Sequence, residues 1–294
     1  MTHRGSINAA TSLVLSTFTG AGLLDRGFRA EGFCVVSAGD ALWGQPIQEF
    51  TGAPGVFAGV VGGPPCQKFS RANRTGRDVK AGLGLVREFF RVVGECEPEW
   101  WLMENVDGLP DISHLAPDGY SIQRLHLNAR ELGFAQNRPR WYVFGYASGQ
   151  PLVIPYVTEM DRRAVGASRC CLASEGARED AKTRRSWADF CALQGLPGPL
   201  SLPGLSRALQ YRLVGNGVHV GVARVLARAI AERGQTFMPL RAPGVRRMCV
   251  CECGREVKAG VTMATVACRK RMQRRRDALG VQERGPVTAE LFGV

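Results

Sequence analysis

A cysteine that follows two prolines is the first group in this sequence whose type and setting could do chemistry. The segment Gly63–Gln67, Gly-Pro-Pro-Cys-Gln, comes just after the apolar run Val56–Val61. The two prolines hold the backbone in an extended path, so the Cys66 side chain would point outward from the end of a strand. A thiolate is a strong nucleophile. A lone cysteine is more commonly a buried packing residue, and both interpretations are open at this point.

Charged side chains border two further apolar runs. Glu104 follows the run Trp100–Met103, where burial would raise the pKa of its carboxyl and let it donate a proton. Arg138 and Arg140 precede the run Trp141–Gly145, and in an extended segment both would face the same way, which suits a phosphate or a carbonyl oxygen. The alternatives are a capping role for Glu104 and a solvated arginine pair.

Glycine-rich turns indicate a binding site for a nucleoside-containing cofactor. Phe18–Gly22, Phe-Thr-Gly-Ala-Gly, opens a helix after an apolar run, and Asp40 ends the next run. Glycines allow close ligand approach, and an acid at the second strand end can hold ribose hydroxyls. The spacing matches neither the dinucleotide motif nor the phosphate loop, so a cofactor without a pyrophosphate, such as S-adenosylmethionine, fits better. Gly215–Val218 is predicted to open the last helix, where free N–H groups can meet a ligand.

Alternating apolar runs and helical periods predict the elements that must position these groups. Strands are expected over residues 12–16, 33–37, 56–61, 100–103 and 141–145, and helices over residues 23–28, 83–95, 188–196 and 218–232. Residues 121–132 fit either a helix or a strand with a turn. This alternation predicts an α/β fold with a mostly parallel sheet covered on both faces.

Composition limits the class of protein. The chain has 294 residues, of which 45% are hydrophobic and 22% are charged. This is enough for one large domain and a small additional module. No run approaches the roughly 18 apolar residues of a membrane span, and the first residues lack a signal-peptide core. We therefore expect a soluble cytoplasmic protein with no membrane partner.

Basic charge is concentrated near the C-terminus. Residues 241–276 hold eleven Lys and Arg against two Glu, a net charge of +9 out of +12 for the chain. Cys249, Cys251, Cys253 and Cys268 share this stretch, and four thiolates suit a structural zinc ion. The prediction is a small zinc-bound module that clamps the DNA backbone. The alternative is a disordered, solubilising tail with idle cysteines.

Taken together and in order, these motifs resemble the cytosine-C5 DNA methyltransferase family. The matching motifs are Phe18-x-Gly-x-Gly, Gly-Pro-Pro-Cys66-Gln, Glu104-Asn-Val, Gln136-x-Arg-x-Arg140 and Gly215-Asn-x-Val218, with Leu127-Asn-Ala and Leu193-Gln-Gly-Leu-Pro beside them. The resemblance covers approximately residues 12–232. It implies a class I S-adenosylmethionine-dependent fold with a Rossmann-like sheet.

The resemblance also implies a mechanism and a substrate, double-stranded DNA. The target cytosine is flipped out of the duplex, and the Cys66 thiolate attacks its C6 atom. Glu104 acts on N3, while Arg140 together with Arg138 holds O2 and the adjacent phosphate. The methyl group then passes from S-adenosylmethionine to C5. The implied setting is restriction–modification, with the chain acting as a monomer on DNA.

The implied cofactor pocket draws on several segments. Its residues would be Phe18, Gly20, Gly22, Asp40, Ile47, Pro65, Leu85, Asn216 and Val218. Pro46 stands where the family often has an Asp that contacts the adenine, so that contact is not expected. The variable region between Tyr146 and Trp187 is short, which predicts a specificity that is short, relaxed or partly supplied from elsewhere.

The predicted organisation has four parts. Residues 1–146 form the catalytic cofactor-binding domain, 147–187 the target-recognition region, 188–235 the return to the catalytic domain, and 236–294 the linker and basic Cys-rich module. One alternative function is an RNA (tRNA) cytosine-C5 methyltransferase. The other is a catalytically inactive DNA-binding protein of the same fold, against which the intact Cys66 and Glu104 argue.

Overall fold

Six strands form one mixed sheet in the part of the chain that the structure describes. This computed structural model describes residues 12–65, 83–180, 182 and 184–233, together with positions 267, 268, 270 and 274. The chain divides into two units, Met1–Gln235 and Thr236–Val294. The strands are β1 (Leu13–Thr17), β2 (Cys34–Ser37), β3 (Gly59–Gly62), β4 (Trp100–Val106), β5 (Ser121–Asn128) and β6 (Pro139–Tyr146).

The sheet order is β2-β1-β3-β4-β6-β5. Strand β1 pairs in parallel with β2 and β3, and β3 pairs in parallel with β4, as the alternation of strands and helices predicts. Strand β6 runs antiparallel to both β4 and β5. The mostly parallel sheet that the sequence predicts is therefore observed, with β6 as the one reversed strand among the six of the described structure.

Helices cover both faces of the sheet. They are α1 (Leu23–Ala30), α2 (Gly84–Cys96), α3 (Glu159–Val165), α4 (Trp187–Leu193), α5 (Arg207–Asn216) and α6 (Val220–Glu232). Helices α1 and α6 pack on the face that buries Trp100, and α2 packs on the face that buries Trp101. Neighbouring strand residues point to opposite faces, so the adjacent Trp100 and Trp101 pack into the two hydrophobic cores on opposite sides of the sheet.

Two glycines make room for these tryptophans. A Cβ on Gly59 would lie 2.2 Å from the Trp100 ring, and a Cβ on Gly145 would lie 2.0 Å from the Trp101 ring. Neither overlap could be relieved without moving a large buried ring. Glycine at these two positions therefore leaves the space that the two indole rings occupy. The rigid sheet in turn fixes the strand ends, where the predicted site residues lie.

Three local predictions differ from the structure. Strand β4 does not end at Met103 but continues through Glu104 and Asn105 to Val106. Of the two alternatives for residues 121–132, the strand with a turn is the one observed. Helix α5 was not expected. Because it ends at Asn216, the motif Gly215–Val218 closes one helix and does not open the last one. The last helix begins at Val220, with the His219 side chain accepting from the Gly221 N–H at 3.1 Å.

The stretch Arg207–Glu232 is long and apolar enough to span a membrane on composition alone. In the described structure 61% of its apolar window is buried inside the protein, and Gly217 separates its two helices. Its apolar residues belong to the protein core, including Val214 and Leu226.

Candidate active site at the carboxyl ends of the strands

A cavity of about 400 Å³ lies where β1 and β2 end. Gly20, Gly22 and Asp40, three of the predicted cofactor residues, line it together. Gly20 and Gly22 have φ values of 54° and 71°, in the left-handed region that favours glycine. A Cβ on Gly20 would meet nothing within 4 Å, so the backbone here faces open space that a ligand can approach.

The Asp40 carboxylate shapes the glycine turn. It accepts the Gly20 N–H at 2.7 Å and the Leu42 N–H at 2.8 Å. Trp43 contributes a second contact, because its indole N–H donates to the Gly20 carbonyl oxygen at 3.0 Å. The Trp43 side chain is 58% exposed and lines the cavity, so an aromatic face lies beside the carboxylate. Trp43 is not among the residues predicted for the site, although a tryptophan three residues after Asp40 is a recognisable signal.

A second carboxylate, which unlike Asp40 is fully buried, lines the cavity. Asp25, on α1, accepts hydrogen bonds from the hydroxyl groups of Ser16 at 2.5 Å and Ser37 at 2.7 Å. The two serines lie side by side at the ends of β1 and β2. Asp25 therefore ties α1 to both strand ends. Nothing in the sequence around Asp25 distinguishes it from an ordinary helix-surface acid.

The other predicted cofactor residues do not line this cavity. Ile47 is buried and packs with the partly buried Phe18 and Leu85 on the α2 side of the sheet. Val218 is buried in the core on the opposite face, and Asn216 is exposed at the end of α5. Their roles in cofactor binding remain predictions from the resemblance.

An ion pair stands farther along the same sheet edge, on β4 and β6. The Glu104 carboxylate lies 3.2 Å from Nε of Arg140, and both side chains are largely buried. Burial raises the pKa of Glu104, and the charges of Arg140 and Arg138 partly oppose that shift. Burial also lowers the pKa of Arg140. The raised pKa makes Glu104 a carboxyl that can hold a proton and donate it.

A buried tyrosine completes the surroundings of Glu104. Tyr142 lies directly opposite Glu104 in the pairing of β4 with β6. Burial and the Glu104 carboxylate both raise the pKa of the Tyr142 phenol, which therefore stays neutral. In the sequence, Tyr142 is recognisable only as part of an apolar run.

The segment that leads to Cys66 runs past Glu104. A Cβ on Gly63 would lie 3.2 Å from Oε2 of Glu104, so only a glycine lets the backbone pass this close without displacement. The Asn105 amide donates to the Pro64 carbonyl oxygen at 3.3 Å and anchors the same segment to β4. Pro65 is exposed. Cys66 itself lies outside the described residues, and its nucleophilic role remains a prediction.

Residues 45–167 match the sequence profile of the C-5 cytosine-specific DNA methylase family. The Type II methyltransferase M.AgeI of Thalassovita gelatinovora is 32% identical over 187 residues, covering 52% of this chain and 43% of that protein. M.AquIA of a Picosynechococcus strain is 31% identical over 189 residues, covering 49% of this chain and 76% of that relative.

The chain belongs to the C-5 cytosine-specific DNA methylase family. Its match spans about half the length of the first curated relatives, 43% of M.AgeI and 53% of M.MthTI. Solved structures agree on the fold of this family member. The Entamoeba histolytica methyltransferase EhMeth aligns with a TM-score of 0.55 at 12% identity, covering 74% of this chain and 97% of that one. The S. pombe Dnmt2 methyltransferase aligns with a TM-score of 0.54 at 15% identity, covering 75% and 98%.

Membership of the family implies S-adenosylmethionine as cofactor, and the cavity fits such a group. It offers open space above Gly20, the Asp40 carboxylate and the face of Trp43. The cavity therefore gives a ligand close access to the backbone, an acceptor for its hydroxyl groups and an aromatic surface on which a base can stack.

Arg138 makes contacts different from those predicted for a substrate ligand. Its guanidinium is 2% exposed and donates from Nη2 to the carbonyl oxygens of Gly215 at 3.0 Å, Asn216 at 3.3 Å and Gly217 at 2.8 Å. Arg138 directly precedes β6, and Arg140 is the second residue of that strand. Their partners differ, because only Arg140 pairs with Glu104.

The predicted zinc site falls largely outside the described residues, which include Cys268 but not Cys249, Cys251 or Cys253. Cys268 is buried, with helical backbone. Within the part of the chain that the structure describes, no group of three or more His, Cys, Asp or Glu side chains could hold a metal ion. The zinc module remains a prediction from the sequence.

Proposed function

We propose that this protein methylates carbon 5 of cytosine in double-stranded DNA, with S-adenosylmethionine as the methyl donor. The observation that carries the proposal is the buried Glu104–Arg140 pair beside Gly63, three residues before Cys66. A proton donor and the backbone leading to a candidate nucleophile thus meet at one point. The cavity of Gly20 and Asp40 lies at the end of β1, two strands from β4 in the same sheet.

The cofactor-binding side of the site is assigned to the glycine turn and its neighbours. Gly20 and Gly22 permit close approach, Asp40 accepts from ribose hydroxyls, and Trp43 offers its ring to the base. S-adenosylmethionine, when bound, supplies an electrophilic methyl group.

The substrate side is assigned to Cys66, Glu104 and Arg140. The Cys66 thiolate forms a bond to C6 of a flipped-out cytosine, and the displaced ring electrons are balanced by a proton that Glu104 delivers to N3. This turns C5 into an enamine carbon that can take the methyl group. After the methyl transfer, N3 returns its proton to Glu104. A base then removes the C5 proton, and the electron pair of that bond forms the C5–C6 double bond and expels the Cys66 thiolate.

Arg140 supports this chemistry through Glu104. Its guanidinium lies 3.2 Å from the carboxylate, which fixes the orientation of Glu104 and limits the rise in its pKa. Without a cation nearby, a carboxyl this deeply buried would hold its proton too tightly to release it at each turnover.

DNA contacts outside the site are assigned to two segments. The variable region 147–187 contains the short helix α3 and exposes apolar side chains, among them Tyr156 and Met160. The basic stretch 241–276, with Cys249, Cys251, Cys253 and Cys268 as its proposed zinc ligands, would add phosphate contacts. Zinc analysis of the purified full chain, with and without chelator, tests that part of the proposal.

Covalent trapping tests the proposed chemistry. The full chain is incubated with S-adenosylmethionine and a mixed-sequence duplex in which 5-fluorocytosine replaces cytosine. Fluorine cannot leave as a proton, so an active enzyme stays bonded to the DNA, and we expect a denaturant-resistant complex. Cys66→Ala should form none, and the matched control Cys34→Ala, an exposed cysteine on β2, should form as much as the parent chain.

Two outcomes separate the alternatives. Normal duplex binding without any adduct would support an inactive DNA-binding protein of the same fold. Transfer of labelled methyl groups to tRNA but not to duplex DNA, in a parallel assay, would support the RNA methyltransferase.

A further inference from the structure

The segment Ala135–Arg138 is attached on one side to the variable region. Ser168 donates its N–H to the Ala135 carbonyl oxygen, and Asn137 donates to the Ser168 carbonyl oxygen, each at 2.8 Å. The buried Gln136 side chain accepts the Cys171 N–H at 3.2 Å. The residues around Ser168 therefore cannot shift without moving the start of β6.

On its other side, the same segment holds the end of α5. The Arg138 guanidinium donates to three successive carbonyl oxygens, those of Gly215, Asn216 and Gly217. The last carbonyls of a helix lack intrahelical partners and carry the negative end of the helix dipole. The buried charge of Arg138 is thus balanced by a helix end.

Arg138 also touches the variable region directly. Its Nη1 lies 3.3 Å from Sγ of Cys170 while Nη2 holds the helix end. A guanidinium is planar and rigid, so displacement of one nitrogen moves the other. A lysine ammonium is a single point and cannot span both sets of partners.

The helix end held by Arg138 packs against the glycine turn of the cofactor cavity. A Cβ on Gly217 would lie 3.0 Å from the Leu23 side chain, and Leu23 directly follows Gly22, which lines the cavity. Leu23 is buried, so a shift of Gly217 presses on the first turn of α1. The contacts thus run without interruption from Cys170 through Arg138 and Gly217 to Gly22.

A second set of contacts supports the same turn. The Gln136 amide donates to the Gln194 side-chain oxygen at 3.0 Å, and the Gln194 amide donates to the carbonyl oxygens of Val214 and Gly217. These uncharged contacts help to keep α5 in place when the Arg138 contacts are removed.

We propose that Arg138 is a positioning residue that couples the variable region to the cofactor cavity through the turn Gly215–Gly217. DNA held by the variable region and cofactor held at the glycine turn then strengthen each other's binding, by the same factor in both directions. The inference rests on the proposed function, because it takes DNA and S-adenosylmethionine as the two ligands.

The test measures S-adenosylhomocysteine binding to the full chain by calorimetry, with and without a duplex carrying the site found by methylation mapping. In the parent chain we expect the duplex to tighten this binding. Arg138→Met should weaken it about tenfold, as expected for loss of a charge-assisted contact, and should abolish the effect of the duplex. Arg138→Lys should fall between the two. The control Arg228→Met, on the exposed pair with Glu31, should match the parent chain.

Cys170→Ala keeps the test decisive if Arg138→Met does not fold. It removes the sulfur, which contacts Arg138 and the Cys171 carbonyl oxygen, and leaves the Arg138 contacts to Gly215–Gly217 in place. We therefore expect unchanged S-adenosylhomocysteine affinity and a weaker effect of the duplex. A full duplex effect in both Arg138→Lys and Cys170→Ala would overturn the coupling. A parent chain that binds no S-adenosylhomocysteine would instead contradict the proposed function.

Discussion

The Glu104–Arg140 pair allows a quantitative prediction about a buried charge. Arg140→Met removes the cation but keeps an unbranched side chain of similar length beside Glu104. The carboxylate then lies largely buried without the guanidinium that is 3.2 Å away in the parent chain. Its burial already raises the pKa of Glu104, and loss of the Arg140 charge should raise this pKa further.

The expected destabilisation is large and depends on pH. Two unit charges at this distance attract by about 5 kcal/mol at an effective dielectric constant near 20, and removing one partner of a buried pair costs about 3–5 kcal/mol. We expect a loss of about 3 kcal/mol at pH 8. A raised folded-state pKa means that the folded chain binds the proton more tightly than the unfolded chain. The free energy of unfolding therefore falls as pH rises between the ordinary and the raised pKa of Glu104.

The pH dependence is the diagnostic part of this prediction. Lowering the pH from 8 to 5.5 favours protonation of Glu104 in Arg140→Met, and part of the lost stability should be recovered. Urea unfolding followed by circular dichroism, at both pH values, measures this recovery against the parent chain. Adding Glu104→Gln to Arg140→Met should also recover stability at pH 8, because no buried charge is left unpaired.

Two results would refute this reasoning. One is an equal loss of stability in Arg140→Met at both pH values, which would mean that Glu104 does not change its charge. The other is additivity of Glu104→Gln and Arg140→Met to within about 0.5 kcal/mol, which would mean that the two side chains do not interact.

Three further predictions concern other parts of the catalytic unit. Asp40→Ala should weaken S-adenosylhomocysteine binding about tenfold. The control Asp161→Ala, which removes a capping side chain from α3, should lose about 1 kcal/mol of stability and keep the parent affinity for S-adenosylhomocysteine. Equal affinities in the two variants would contradict the assignment of Asp40. Burial and the Arg138 charge lower the pKa of His219 to about 4, so stability should fall by about 3 kcal/mol as pH drops from 6.5 to 4, since only the unfolded chain takes the proton. His219→Asn, which can still cap α6, should reduce this loss of stability between pH 6.5 and 4, as measured by urea unfolding. An unchanged pH dependence would exclude His219 as its source. Trp43→Phe loses the hydrogen bond from the indole N–H to the Gly20 carbonyl oxygen and should weaken S-adenosylhomocysteine binding a few-fold in calorimetry. An unchanged affinity would show that this hydrogen bond does not contribute to binding.

The parallel half of the sheet could be predicted because its information is local. Each of β1, β3 and β4 is an apolar run, and glycine, proline or a polar residue follows it within a few positions. Those breaks also mark the sheet edge, which is why Gly20, Asp40 and Glu104 could be selected as site residues. Spacing along the chain was sufficient for this step.

Strand β5 and helix α5 could not be predicted with the same certainty, because their polar residues are stabilised by distant partners. In β5, Gln123 binds the backbone of Leu152 through both ends of its amide, and Arg124 stacks on the Trp141 ring. In α5, Gln210 donates to two carbonyl oxygens of the preceding loop. A sequence pattern shows these residues only as polar, which hides the element they belong to.

The two arginines of Gln136-x-Arg-x-Arg140 show the limit of reasoning from spacing. Their separation predicts one shared face of an extended segment. It does not reveal that Arg140 meets a carboxylate on β4 while Arg138 meets the end of a helix that begins at Arg207. The same limit applies to Asp25, whose two serine partners lie on different strands.

Bisulfite sequencing of host DNA after expression of the full chain shows whether the protein methylates cytosine at carbon 5. We expect cytosines protected from conversion at one recurrent sequence context in cells that express the parent chain. We expect no protection with Cys66→Ser at equal protein level. Uniform conversion in both, with folded parent protein that binds S-adenosylhomocysteine, would contradict methylation of DNA cytosine at carbon 5.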